Sequence, residues 1–381
     1  MPNVDPFRPT LRLFMSVDIV GSTAFKQAAR GSLPVSSQEM RVPSEGWFSP
    51  LAQFYRHIEA TFRSEWLRYI EYVGSHKDDA YNWPVGQAPT LWKGVGDELI
   101  YTKVITDHRE AMGCLHCWVQ AVKRYKMILR EKYPSLDLKA AAWIAGFPVN
   151  NSEIIIRTEF DSASDLQAED DPVYDNAQLL LAYYSEDRPN GLIQDFVGPG
   201  IDTGFRVSSL ATPRKLTLTL DLALLIAKAD QDKQHGFDCG NFIYGYDGRV
   251  QLKGVFGGVP YPVFWLDLLS DNQLAKVEDD LTPNRTVGAG KIIAFAEEFI
   301  SAHPQFIDRP YMESSTEAFF SKRPARHIER LEAFRTFLES ERKRLEAERE
   351  AVDPLNEKGE ELSEGEIKKF VTEDIKVPTT P

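Results

Sequence analysis

Sixteen residues near the start of the chain, Leu11 to Lys26 (LRLFMSVDIVGSTAFK), join a strand pattern to side chains that can manage charge. Leu11, Leu13, Met15 and Val17 alternate with Arg12, Phe14 and Ser16, which predicts a strand with one buried face and one mixed face. The strand ends on Asp18. Gly21, Ser22 and Thr23 follow, then a segment, Ala24 to Arg30, that can be helical. A carboxylate at the C-terminal end of a strand is placed to hold a hard metal ion. Small residues at the start of the next helix leave backbone N–H groups free to face phosphate. A second carboxylate comes from Leu91 to Tyr101 (LWKGVGDELIY), which reads as a hairpin with Asp97 at its tip. Asp18 and Asp97 on adjacent strands would converge on a pair of metal ions. Such a pair suits in-line displacement at phosphorus.

These segments resemble the class III nucleotide cyclase catalytic domain. The resemblance rests on the Asp-Ile-x-Gly-Ser-Thr turn after a strand and on Lys-x-x-Gly-Asp in a hairpin. It continues through Asp195 to Arg206 (DFVGPGIDTGFR) and through Leu252-Lys253-Gly254 followed by Pro262-Val263. Four motifs in order are far more specific than any one of them. The match covers roughly residues 8–268 and leaves the rest of the chain outside it.

The resemblance implies an α+β fold: a ferredoxin-like cyclase core, a mostly antiparallel sheet with helices on one face, with loop insertions and a C-terminal helical extension. It implies that Asp18 and Asp97, with the backbone carbonyl of Ile19, bind two Mg²⁺ or Mn²⁺ ions. Gly21, Ser22 and Thr23 would cradle a triphosphate. Arg206 and the residue four before it, Asp202, would stabilise the transferring phosphoryl group; the family has Asn where Asp202 stands. Lys93 and Asp195 would face the base. Lys donates to a ring acceptor and Asp accepts from an exocyclic amine, which favours ATP or a cytosine-like amine over GTP. Lys253 starts the closing strand, and Val255 stands where the family has a second lysine.

The family's chemistry is attack of the ribose 3′ oxygen on the α-phosphorus, giving a 3′,5′-cyclic nucleotide and pyrophosphate. Two subunits of a homodimer share each site, so a monomer would be inactive. The overall organisation, a cyclase core with insertions and no recognisable sensor or membrane module, is similar to the pyrimidine cyclases of the bacterial anti-phage Pycsar system. Those make cyclic UMP or cyclic CMP to trigger a separate effector. An adenylate cyclase, a diguanylate-type enzyme (Gly96-Asp97-Glu98-Leu99 partly echoes GGDEF) and a non-catalytic nucleotide-binding relative are the alternatives.

Composition narrows the partners. The chain of 381 residues is 43% hydrophobic and 27% charged, enough for a large domain with additions. A net charge of −13 argues against general nucleic-acid binding. No apolar run reaches membrane-spanning length, and the first residues lack a signal-peptide pattern. Cys114, Cys117 and Cys239 give no disulfide framework, so a reducing cytoplasm is expected. Cys114-Leu-His-Cys117 lacks the second pair a zinc knuckle needs and reads as a buried helix face.

The positioning elements follow from periodicity. Leu51 to Tyr72 recurs at helical spacing from Pro50 onward, Asp107 to Lys132 reads as a helix, and Leu136 to Phe147 as a small-residue central strand. Residues 31–49, 75–89 and 148–194 read as insertions. Asp221 is expected to cap a helix from Leu222. Asp247-Gly248 is expected to turn a hairpin between 242–246 and 250–253. The catalytic domain is expected over 8–268, a helical extension over 269–354 and an acidic tail over 355–381.

Overall fold

Alternation in the first strand has a structural counterpart on both of its faces. The structure is a computed structural model that describes residues 7–29, 46–76, 83–158, 171–233, 237–269, 272–281 and 286–356. In order these form β1 (Thr10–Val20), α1 (Ser22–Ala29), α2 (Phe48–Ser75), β2 (Thr90–Val95), β3 (Glu98–Ile105), α3 (His108–Lys132) and β4 (Asp137–Phe147). Next are β5 (Ser152–Arg157), α4 (Pro172–Tyr184), β6 (Leu192–Val197), α5 (Pro199–Ser208), β7 (Lys215–Leu218) and α6 (Leu220–Gln231). Last come β8 (Tyr244–Val250), β9 (Tyr261–Asp267), α7 (Gln273–Asp280), β10 (Thr286–Val287), α8 (Ala289–Ala302), α9 (Ala318–Ser321) and α10 (Ala325–Asn356).

Eight strands make one sheet in the order β10-β8-β9-β7-β4-β1-β3-β2. Every neighbouring pair is antiparallel except β4 with β7. The fold is therefore α+β with a mostly antiparallel sheet. Leu13, Met15 and Val17 of β1 join Leu99 and Tyr101 of β3 and the inner sides of α2, α3, α6 and α8 in the main core. The other face of β1 carries Phe14, which stacks on Trp143 at 5.6 Å and meets Phe196 edge-on at 5.3 Å. This smaller core is completed by Ile201 and Phe205 of α5. The helical layer covers the first face, while α5 and the β5–β6 ribbon pack on the second.

The segment expected as an insertion at 148–194 includes that ribbon and α4. It is tied to the sheet through Arg12, which lies 3.1 Å from Glu153 and donates to the Tyr184 hydroxyl at 2.9 Å. The remaining parts of the expected insertions, residues 31–45, 77–82 and 159–170, and the tail from 357 lie outside the described residues.

Two local expectations are corrected. Asp247-Gly248 does not turn a hairpin. It sits inside β8, where the register against β9 shifts between Tyr246 and Arg249. Gly248 has φ +85°, and the Asp247 carboxylate accepts from Trp265 Nε1 at 3.0 Å and from Lys215, which fixes a bulge instead. Asp221 is not the cap of α6: the N-cap is Thr219, and Asp221 lies one residue inside the helix, accepting from the Leu222 N–H.

Met1–Ile328 form one compact unit. Its later part is fastened to the α3 entrance, where the Thr316 hydroxyl donates to Asp107 at 3.1 Å and the Ser314 hydroxyl to the Thr106 carbonyl at 3.1 Å. Glu329–Pro381 form the second unit. There α10 is a charged helix surface, with Arg342–Glu346 at 3.4 Å and Arg344–Glu341 at 3.0 Å.

Gly204 sets how closely α5 approaches β4, because a Cβ there would lie 2.3 Å from Trp143 Cγ. Gly204→Ala therefore pushes α5 off the sheet. It should destabilise the protein by about 1–3 kcal/mol, read as a lower urea midpoint with an unchanged slope.

Candidate active site

The acids are brought together by register. Asp18 lies opposite Glu98 of β3 on one side and opposite Lys139 of β4 on the other. Residues directly opposite share a face, so Asp18, Glu98 and Lys139 project from the same side of the sheet. Asp97 occupies the tight turn just before Glu98, with Gly96 at φ +66° making the turn. The Ile19 N–H reaches the Asp97 carbonyl at 3.4 Å, which fastens the strand end to the hairpin tip.

The following turn is shaped for close approach. Gly21 has φ +86°, and a Cβ there would lie 2.7 Å from the Ser135 carbonyl oxygen. Ser22 opens α1, is buried, and donates its hydroxyl to the Asp97 carboxylate. Thr23 is exposed beside it. So Asp18, Ile19, Gly21, Ser22, Thr23 and Asp97 form one neighbourhood.

Three charged residues that sequence reasoning did not assign belong here. Lys139 Nζ lies 2.9 Å from Asp18 Oδ2, and Lys26 Nζ lies 3.6 Å from Asp97 Oδ1. Glu98 is the third. The available signals were a lone cation in the otherwise apolar strand after Asp137 and a lysine one helical turn after Ser22. Burial raises the Asp18 carboxyl above its ordinary 3.8; Lys139 pulls it back and Asp97 raises it further. Glu98 is raised too, chiefly by burial, with Ser16 opposing and Asp18 adding to the rise.

Among the described residues no group of three or more His, Cys, Asp or Glu side chains is placed to hold a metal. The two aspartates with backbone oxygen are nonetheless a hard-donor set. Mg²⁺ is typically held by one or two carboxylates, with phosphate and water supplying the rest. Each aspartate already draws an ammonium group, so the place attracts positive charge. The residues fit a divalent ion that is completed by its substrate.

The base-facing candidates also meet. Lys93 Nζ lies 2.8 Å from Asp195 Oδ1, and the same oxygen accepts from the Phe196 N–H at 2.9 Å. The ammonium sits 4.0 Å from the Trp92 ring centre. Trp92 in turn packs edge-on against Phe196 at 5.1 Å, so both members stand on the second core.

Asp202 and Arg206 are both exposed on α5. The helix starts where Gly198 (φ +135°) lies against Asn151, whose side chain accepts from the Gly200 N–H at 2.9 Å. Asp202 lines a cavity with Thr10 and Leu11, and α5 lies along β4, with Gly200 against Ala145 and Gly204 against Trp143. One chain thus brings Asp18 to Asp97 and Lys93 to Asp195. Lys253 is exposed in the connection between β8 and β9, and Val255 is buried.

The Cys114–Cys117 stretch is a buried helix face. Both thiols are free, and burial pushes Cys114 up to about 12. His116 Nδ1 is taken by the Gly240 N–H at 3.0 Å.

A raised carboxyl has a stability consequence. The folded state disfavours charged Asp18, so the penalty is full well above its folded pKa and fades as pH falls toward 3.8. Asp18→Asn should therefore melt higher than the parent at pH 7. The difference should shrink by pH 4, as read by calorimetry.

No protein-family model matches the chain, and no curated protein matches it. Solved structures with a similar layout include the adenylyl cyclase CyaB from P. aeruginosa. It shares 10% identity at TM-score 0.39, over 68% of this chain and 94% of that one. The guanylate cyclase domain of RhGC from Catenaria anguillulae, in complex with GTP, shares 11% identity at TM-score 0.33, over 68% and 97%. Adenylate cyclases from Trypanosoma brucei in their monomeric state share 14% identity at TM-score 0.33, over 70% and 92%. The chain is similar to these cyclase domains in general layout.

Proposed function

We propose that this chain is a nucleotide cyclase that converts a nucleoside triphosphate into a 3′,5′-cyclic nucleotide and pyrophosphate. The observation that carries this reading is the meeting of Asp18 and Asp97. Residues far apart in sequence become neighbours at a glycine-serine turn, and each carboxylate attracts a cation. Mg²⁺ or Mn²⁺, when bound, neutralises phosphate charge and acidifies the ribose 3′ hydroxyl.

The chain's own residues then have these parts. Asp18, Asp97 and the Ile19 carbonyl hold the ions. Gly21, Ser22 and Thr23 offer backbone N–H groups to the phosphates. Arg206 donates to the phosphoryl oxygens as charge develops there, with Asp202 one turn before it. The 3′ oxygen forms its bond to the α-phosphorus, the bond to the bridging oxygen breaks, and the hydroxyl proton leaves to water. As the resemblance implies, the reading assigns Asp202, Arg206, Lys93 and Asp195 to the site of a second copy. A two-fold homodimer then carries two sites.

The base we propose is a pyrimidine, in keeping with a core that has insertions and a helical C-terminal segment. The product is cyclic CMP or cyclic UMP, signalling to a separate effector in anti-phage defence. The Lys93–Asp195 pair favours a base with an exocyclic amine, which cytosine has. It equally supports adenine, so adenylate cyclase activity is the second reading.

Incubation of the purified chain with each of the four triphosphates and Mn²⁺, read by product mass, tests the reading. A cyclic mononucleotide is expected; a cyclic dinucleotide, or binding without turnover, would sink it. Asp18→Asn or Asp97→Asn should cost roughly 10³-fold in rate, and Arg206→Ala about 10²–10³-fold. Mixing inactive Asp18→Asn with inactive Arg206→Ala should restore activity through the one intact site of the mixed dimer. No recovery would remove the shared-site geometry.

A further inference from the structure

Tyr55 of α2 reaches across to the tip of the β2–β3 hairpin, where its hydroxyl donates to the Gly96 carbonyl at 2.6 Å. The helix is set at that distance by its neighbours. Phe54, Ile58 and Phe62 bury one face of α2 in the main core. Tyr55, one residue on from Phe54, is left at the flank of the helix and is 39% exposed. Its ring passes close over Gly94, where a Cβ would come within 3.2 Å of the hydroxyl and 3.3 Å of the ring. A glycine at this place in β2 admits the close approach of the side chain to the turn beyond it.

The hydrogen bond falls on the peptide that decides where Asp97 points. Val95 pairs with Glu98, so Gly96 and Asp97 are the two central residues of the turn. Gly96 has φ +66° and the φ of Asp97 is negative, which is the pattern of a type II′ turn. A type I′ turn would make both positive. The two types differ by a flip of the Gly96–Asp97 peptide, and that flip would re-aim the Asp97 side chain. Tyr55 holds the carbonyl of this peptide. On the other side of Asp97, its own carbonyl accepts from the Ile19 N–H at 3.4 Å. The backbone is thus clamped before and after the Asp97 Cα, and the carboxylate is turned toward Ser22 and Lys26.

We propose that Tyr55 is a positioning residue for the ion-holding carboxylates. Its hydroxyl keeps the Gly96–Asp97 peptide in one orientation, so that Asp97 is presented to a divalent ion together with Asp18. This rests on the reading of Asp18 and Asp97 as the groups that hold the ions. Groups that orient a metal ligand matter about 10–100-fold to metal affinity. Tyr55→Phe keeps the ring over Gly94 and removes the hydrogen bond alone. Gly96 is exposed, so water can take the vacated place on its carbonyl and the fold does not need the bond.

The test is Mn²⁺ uptake by the full chain without nucleotide, read from the electron paramagnetic resonance signal of free Mn²⁺, beside cyclase rates at rising Mn²⁺. Tyr55→Phe should weaken uptake roughly tenfold. It should raise the Mn²⁺ needed for half the maximal rate by the same factor, with kcat at saturating Mn²⁺ and the melting temperature close to the parent's. A merely structural tyrosine would instead lower the melting temperature and scale the rate down equally at every Mn²⁺ concentration. Unchanged Mn²⁺ affinity in Tyr55→Phe, while Asp97→Asn loses it, would overturn the proposal and leave the Asp18–Asp97 reading standing. Uptake that survives Asp97→Asn, or none in the parent, would remove the ion-holding part given to Asp97 and this proposal with it.

Discussion

Two carboxylates half-withdrawn from water near each other repel unless positive charge lies between or beside them. This constraint governs the end of β1. The chain meets it with two lysines, one from the next strand and one from the helix that follows the turn. Neither is strong enough to return Asp18 to the ordinary carboxylate range, because burial remains the largest influence. The site is thus under-neutralised by its own residues. The same imbalance weakens the fold there, a usual relation between a functional site and stability.

Holding that arrangement requires a stiff frame, and the frame is β1 between β3 and β4. β4 is buried on both faces: Ala140, Ala142 and Ile144 point to the main core, while Trp143 and Ala145 point to the second. A strand packed on both sides cannot slip in register without moving every side chain to the wrong face. Asp18 is therefore fixed against Lys139 and Glu98 by packing further along the same strands. The second core also positions the Lys93–Asp195 pair, since Trp92 and Phe196, their chain neighbours, are part of it. The ribbon that carries Asp195 is moored by Arg12 to Glu153 and Tyr184. An apparent insertion is thus part of the packed second face of the sheet.

Much of this was legible in the sequence wherever a pattern had one physical cause. The alternation in β1 and the turn before Asp97 put Asp18 near a strand end and Asp97 at the tip of the neighbouring hairpin. Helical spacing marked α2 and α3 to within a few residues. Reading failed where a local signal was overruled by long-range contacts. Asp247-Gly248 is a strong hairpin dipeptide, yet Lys215 and Trp265 capture the aspartate and leave the glycine to absorb a bulge. Asp221 looked like a cap, but α6 starts at Leu220, whose N–H donates to the Tyr261 hydroxyl at 2.8 Å. Lys139 and Lys26 were missed because lysine carries no motif of its own. Only strand pairing and helix direction place them against the acids.

The Lys93–Asp195 pair raises a question that magnitudes can answer. The two side chains lie 2.8 Å apart and each is 33% exposed. An ion pair so open to water is worth about 0–1 kcal/mol. The rings beneath it form three edge-on contacts: Trp92 with Phe196 at 5.1 Å, and Phe14 with Trp92 and with Phe196 at 5.3 Å each. Such contacts are worth about 0.5–1.5 kcal/mol each beyond the area they bury. The aromatic cluster, not the ion pair, therefore fastens the hairpin to the ribbon, and the pair rides on it with the Lys93 ammonium 4.0 Å from the Trp92 ring centre.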